Sequence, residues 1–246
     1  MKFTLIEKRD EAKGTKSFIW EPEKALDYLP GQYFYFTLWE LNYPDPRGAT
    51  RHFTLSSSPT ETPLISLTTR IREQSGYKKT LDELAIGSVV DGEGPNGTFI
   101  LDPTPQELRG ASENIFVAGG IGITPFRSMI KYAIDKNLDI PIHLIYSNSL
   151  PEEITFRAEL EEWSKKFPNF KLDMTVTKPE ESKEKWTGTV GRIDENLLKK
   201  LITNDQLLIA NYWLCGPPPM VDGLEQVLGK LGLSVGRVRS EKFTGY

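Results

Sequence analysis

Short runs of alternating apolar and polar positions occupy the first hundred residues: Thr15 to Trp20, Gly31 to Leu38, His52 to Leu55, Leu64 to Ile71, Ser88 to Asp91 and Thr98 to Leu101. They are rich in Phe, Tyr, Thr, Val and Ile, whose branched and aromatic side chains suit a pleated surface. Turn-forming clusters such as Pro30-Gly31, Asn42-Tyr43-Pro44-Asp45-Pro46 and Gly92-Glu93-Gly94-Pro95-Asn96-Gly97 separate them. Six short strands without a long helix predict a small antiparallel β-barrel. One brief helix is expected after Thr80, where Leu81, Leu84 and Ala85 share a face.

From about residue 112 the pattern changes. A short apolar strand, Asn114 to Ala118, runs into the glycine turn Gly119-Gly120-Ile121-Gly122-Ile123. Thr124 then reads as a helix N-cap with Pro125 at the first helical position, and Phe126, Ile130, Ala133 and Ile134 follow at helical spacing. Strands are expected at Ile140 to Tyr146, Phe170 to Thr177, Asn211 to Leu214 and Val235 to Phe243. Helices are expected at Thr155 to Lys166, Asp194 to Leu201 and Pro217 to Leu231. Strands alternating with helices imply a five-stranded parallel sheet with helices on both faces, an α/β unit. The chain thus divides into residues 1–105 and 106–246, with the boundary in the polar stretch Pro103 to Ser112.

Composition narrows the functional classes. At 246 residues the chain is long enough for more than one domain, and 38% hydrophobic residues supply a packed core. With 34 acidic against 30 basic residues, the net charge of -4 argues against nucleic-acid binding through an overall basic field. One cysteine and two histidines give no internal disulfide and no four-thiolate zinc or iron–sulfur site. The apolar stretches are too short and interrupted to span a bilayer, and the N-terminus lacks a signal-peptide pattern. A cytoplasmic location is the expectation.

Five segments carry candidate chemistry. Gly119 to Pro125 joins a strand to a helix, where glycines let backbone approach a phosphate and the helix N-terminus offers free N–H groups. It is not the Gly-x-Gly-x-x-Gly fingerprint, and alone it also reads as a tight turn without a ligand. Along Arg51-His52-Phe53-Thr54, alternation puts Arg51 and Phe53 on one side and His52 and Thr54 on the other. That suits a phosphate and a flat heterocycle, or merely a strand with a surface Arg and a core Phe. Gly94 to Phe99 is by itself a turn. Cys215 to Met220 sits at the carboxyl end of an expected parallel strand, and a lone cysteine there also reads as a buried thiol. The tail Glu241-Lys242-Phe243-Thr244-Gly245-Tyr246 carries two aromatics, which is unusual for a frayed end.

In this order and spacing the motifs resemble the ferredoxin–NADP(+) reductase superfamily over nearly the whole chain. Arg51-His52-Phe53-Thr54 matches its flavin-site pattern, Gly94 to Phe99 its Gly-Pro-x-Gly-x-Phe segment, Gly119 to Pro125 its nucleotide loop and Cys215 to Met220 its Cys-Gly-Pro-x-x-Met segment. The resemblance implies FAD on the barrel, held by Arg51, His52, Phe53, Thr54, Thr68, Tyr77, Lys78, Lys79 and Thr80, with Phe53 against one ring face and Tyr77 beside adenine. It implies NADP(H) or NAD(H) on the parallel sheet, near Gly120, Gly122, Thr124, Ser147, Asn148, Arg157, Cys215, Gly216 and Pro217, with Lys178 as a further source of positive charge. Thr54, Cys215 and Glu241 are the expected catalytic residues, and Phe243 or Tyr246 the shield over the flavin's other face. The implied activity is hydride transfer from nicotinamide to FAD, then electron transfer to a separate acceptor such as ferredoxin or flavodoxin. That acceptor would dock through Lys13, Lys16, Lys78 and Lys79. The alternatives are a flavin reductase that releases reduced free flavin and a non-catalytic electron-transfer subunit.

Overall fold

A computed structural model describes residues 1–101, 113–202, 204–233 and 235–244. Its N-terminal part is one antiparallel sheet of β1 (Lys2–Ala12), β2 (Thr15–Pro22), β3 (Tyr33–Thr37), β4 (Thr50–Thr54), β5 (Ile65–Arg70) and β6 (Val89–Asn96), in the order β4-β3-β6-β1-β2-β5. A bridge between Leu55 and Leu67 brings the two edges together, so the sheet curls into a barrel. The alternation read in the sequence places Phe34 and Phe36 inward, packed with Phe3, Trp20 and Leu67, while Tyr33 and Tyr35 face out.

Six strands are present as expected, but not the same six. β1 escapes the pattern because bulges between Leu5 and Glu7 and between Asp10 and Ala12 break its period of two. Thr98 to Leu101 is not a strand. Phe99 and Leu101 leave the barrel and pack into the core of the second sheet, against Phe126, Met129 and Trp213. The short helix α1 (Gly76–Glu83) begins earlier than expected, at the N-cap Ser75, whose side chain accepts from the Lys78 amide.

The second part contains β7 (Asn114–Gly119), β8 (Ile142–Asn148), β9 (Phe170–Val176), β10 (Thr189–Val190), β11 (Asn211–Gly216) and β12 (Val238–Lys242). They form a parallel sheet in the order β10-β9-β8-β7-β11-β12. The sixth strand, absent from the sequence reading, is β10, whose two residues are too few to show a period. Successive residues of β7 are buried on opposite faces. Phe116 and Ala118 pack with α2 (Ile123–Asp135) and α3 (Arg157–Lys166), and Ile115 and Val117 with α4 (Glu195–Leu201) and α6 (Pro218–Lys230). The short helix α5 (Asn204–Ile209) precedes β11. The expected boundary at residues 105 and 106 lies outside the described residues.

Adjacent residues of α2 join the two parts. Arg127 donates to the Ser56 carbonyl at 2.8 Å, and Ser128 donates to that of Ser57 at 2.7 Å. Among the described residues, no helix is long and apolar enough to cross a membrane.

Candidate functional site

The parallel sheet reverses its winding at β7, with β8 and β9 to one side and β11 and β12 to the other. Ligands of such sheets bind in the crevice outside the carboxyl ends of the strands at this switch point. Two loops border it: Gly119 to Gly122 leaving β7, and Cys215 to Pro217 leaving β11. Gly122 is there for packing, since a Cβ on it would lie 2.3 Å from the Cys215 carbonyl oxygen. Gly120 is different. Its φ of +53° is left-handed, and a Cβ on it would meet only the Arg70 guanidinium, at 3.4 Å. The Gly120 backbone is therefore bared to the crevice. Gly122, not Thr124, is the N-cap of α2; Thr124 is buried in the first turn and donates to the Ile121 carbonyl at 3.2 Å.

From Gly120 a groove of about 550 Å³ extends over the ends of β8 and β9, past Ser147, Asn148, Ser149 and Thr177 to Arg192. Neither polar atom of the buried Asn148 amide has a hydrogen-bond partner among the described residues. An orphaned amide lining a groove calls for a polar ligand. Arg157 and Lys178, expected to supply charge here, are committed elsewhere. Arg157 pairs with Glu161 at 3.1 Å and Glu184 at 2.5 Å and lies over the Trp186 ring. Lys178 pairs with Glu181 at 2.8 Å. Arg192 lines the groove instead, and the two residues of β10 give no sequence pattern that announces it.

At the other end Arg70 and Arg72 of the barrel face the glycine loop, together with Gly216, Pro217 and Phe243, around a cavity of about 50 Å³. The Phe243 amide donates to the Gly216 carbonyl at 3.0 Å, and its half-buried ring packs against the core under β7 and β11. Beside it, Glu241 pairs in register with Cys215. Burial raises the Glu241 carboxyl to about 7, and its Oε2 is buried without a hydrogen-bond partner. Cys215 is fully buried; burial, and then the Glu241 charge, push its thiol well above the ordinary value. Its side chain belongs to the core that lies against α2. Tyr33 stands half-buried on the outer face of the barrel. Its phenol is pushed up by the hydrogen bond to Tyr35, by burial and by the charges of Tyr35 and Glu241.

On the barrel, Arg51 and Phe53 share a side as alternation requires, but it is the inner one. Phe53 packs between Phe36 and Tyr77 in the core, while His52 is exposed next to Tyr33 and Tyr35. Thr54 is buried beside them. Tyr77, expected beside adenine, is fully buried and donates to the Phe36 carbonyl at 3.0 Å. The Thr68 hydroxyl is tied to those of Ser17, at 2.6 Å, and Ser56, at 2.7 Å. Thr80 donates to the Gly76 carbonyl at 2.9 Å.

Lys79 lies 4.0 Å from the centre of the Tyr43 ring and near Glu73, Lys16 pairs with Asp82, Lys13 pairs with Glu152, and Lys78 is buried. These four lysines are thus not an open basic face. Tyr246 lies outside the described residues.

Family models agree with this division. The oxidoreductase FAD-binding domain matches residues 2–100 and the oxidoreductase NAD-binding domain residues 116–226. A glycine betaine monooxygenase reductase subunit from Chromohalobacter salexigens is 29% identical over 88% of this chain and 56% of its own length. NADH-cytochrome b5 reductase 1 from Mortierella alpina is 31% identical over 74% of this chain and 59% of its own. The chain therefore spans little more than half the length of these relatives. A ferredoxin NADP+ reductase from Neisseria gonorrhoeae, solved with bound FAD and NADP, shares the fold at a TM-score of 0.77 over 98% of both chains, with 17% identity. A barrel matched by a FAD-binding model, a parallel sheet matched by a NAD-binding model and a crevice shared between them place this chain in the ferredoxin–NADP(+) reductase superfamily.

Proposed function

We propose that this FAD- and NAD-binding oxidoreductase takes hydride from a nicotinamide nucleotide onto FAD and passes electrons to a separate redox protein, with a ferredoxin or flavodoxin as the expected acceptor. The observation that supports the reading is the cavity at which Arg70 and Arg72 of the barrel meet the Gly120 loop, Gly216, Pro217 and Phe243. Bound FAD supplies a two-electron acceptor that can release electrons singly.

The chain's own residues divide the remaining work. The bared Gly120 backbone and the Arg70 guanidinium hold the nucleotide's pyrophosphate. Ser147, Asn148, Ser149 and Arg192 receive its adenosine end. Arg192 and the lack of an acidic residue at Ser147 to Ser149 favour NADPH, because a carboxylate there would bind the bare ribose diol instead. The nearby Asp194 carboxylate is spent on the Leu197 amide, at 2.8 Å, as the N-cap of α4. Phe243 covers the space next to Gly216 and must move for a nicotinamide ring to enter. Burial brings the Glu241 carboxyl to about 7, so it can take up or release a proton near neutral pH.

The purified chain, loaded with FAD, is expected to reduce a one-electron dye with NADPH or NADH unaided. Dye reduction by neither nucleotide would overturn the catalytic reading, and loss of activity on removing free flavin would favour a flavin reductase.

A further inference from the structure

The barrel displays one tryptophan. Trp39 lies just beyond β3 and is 75% exposed, whereas the other four tryptophans are buried or half-buried. Its indole is nevertheless held. Nε1 donates to Asp91 Oδ2 at 2.5 Å, and the Lys2 ammonium donates to the same oxygen at 2.7 Å. The hydrogen bonds from Lys2 and Trp39 keep the Asp91 carboxyl below its ordinary value, and so ionised. The ring is fixed by its edge while its faces stay open to solvent.

Beside it runs a groove of about 520 Å³, lined by Tyr35, Thr37, Thr50, Asp91 and Glu93. Register explains the lining. Tyr35 pairs with Glu93 and Thr37 with Asp91, so alternate residues of β3 and β6 present one outer face. Val89, two positions along β6 from Asp91, and Ile86, in the turn before it, are more than half exposed. An exposed apolar strip with a polar rim marks an interaction surface. The rim here is acidic. Glu93 is exposed and has no ion pair among the described residues, and Glu40, next to Trp39, and Glu21, across β1 from Val89, are exposed as well. Against these carboxylates stand Lys2, spent on Asp91, and the Met1 amino group, which donates to the Gly92 carbonyl at 2.9 Å. The groove also adjoins the strand that carries the flavin-site pattern. Tyr35 pairs with His52 and Tyr33 with Thr54, so Thr54 lies two positions, about 7 Å, along the strands from the Tyr35 end of the groove.

We propose, resting on the reading of this chain as a FAD-dependent reductase with a separate acceptor, that this groove is the docking surface for that acceptor, a redox protein that meets it with a basic face. A lysine or arginine of the acceptor lies over the Trp39 indole and pairs with Glu93, which joins a cation–π contact to an ion pair.

Cytochrome c, a basic one-electron haem protein, serves as the probe, titrated calorimetrically into the FAD-loaded full-length chain. The wild type is expected to bind it at about 20 mM salt and to lose about tenfold in affinity at about 200 mM. Trp39→Ala and Glu93→Lys are each expected to weaken binding by about tenfold. Glu180→Lys, the same charge change in the turn after β9, is expected to leave it nearly unchanged. Reduction of a small dye by NADPH or NADH should stay at the wild-type rate in all three variants, because a dye needs no docking surface. Wild-type affinity in Trp39→Ala and Glu93→Lys, equal weakening by Glu180→Lys, a wild type without salt-sensitive binding, or tighter binding of an acidic ferredoxin than of cytochrome c would each overturn the assignment. A wild type that reduces no dye with either nucleotide would instead overturn the reductase reading, and the proposal with it.

Discussion

Replacing Arg127 with Met is expected to loosen the junction between barrel and parallel sheet. Arg127 projects from α2 into a space only 12% open to solvent. There it holds Glu61 of the barrel at 2.7 and 3.1 Å and Glu159 of α3 at 2.7 and 2.8 Å, with Ser56 O as a fifth acceptor. The rings of Phe156 and Trp163 lie beneath it. Burial opposes the charge, but the two carboxylates outweigh it and raise the guanidinium further. Methionine keeps most of the stem and removes every donor, so Glu61 and Glu159 are left facing each other. Breaking a buried ion pair costs about 3–5 kcal/mol. The carboxylates are 28% and 33% exposed and are partly rescued by water, so the lower figure, about 3 kcal/mol, applies. For a chain of this length that is roughly 6–12 °C in Tm. Thermal unfolding followed by circular dichroism, at fixed protein and FAD concentration, measures it. Adding Glu61→Gln and Glu159→Gln to Arg127→Met should recover part of the loss by removing the stranded charges. A Tm within about 2 °C of wild type would show that the network contributes nothing to the junction.

Other expectations follow from the crevice. Glu241→Gln removes a penalty that is absent below about pH 4.5 and grows until both folded and unfolded carboxyls are ionised above about 7. The variant should therefore gain stability over wild type at pH 8 and not at pH 4, as read from urea midpoints; an equal difference at both pH values would show that the carboxyl does not titrate as described. Phe243→Ala should tighten nicotinamide nucleotide binding by up to about tenfold, since no ring then has to be displaced; unchanged affinity would mean that Phe243 does not occupy the nicotinamide's place. Arg192→Ala should raise KM for NADPH by about tenfold or more and leave KM for NADH nearly unchanged, and equal effects on the two would remove Arg192 from the 2′-phosphate site.

The sequence made the two architectures legible because each has its own period, and it made the Gly120 loop legible because a strand, glycines and a helix start stand in a row. It misled where one residue has two possible faces. Period-two alternation shows that Arg51 and Phe53 share a side but not which side, and only packing against Phe36 and Tyr77 reveals the inner one. The burial of Tyr77 was not legible because the helix containing it begins earlier than the apolar spacing of Leu81, Leu84 and Ala85 suggests. Cys215 does end a strand at the ligand edge, but the residue directly at that edge points down into the core. Arg70, Arg72 and Arg192 line the two cavities from separate loops and strands, and no local pattern ties such residues together.

Mixing the FAD-loaded chain anaerobically with one equivalent of NADPH, and separately of NADH, tests hydride transfer most directly. The flavin's visible absorption band is expected to bleach with at least one nucleotide, and to return when a ferredoxin or flavodoxin is added as acceptor. Persistence of the oxidised band with both nucleotides, in protein that retains its FAD, would contradict the account.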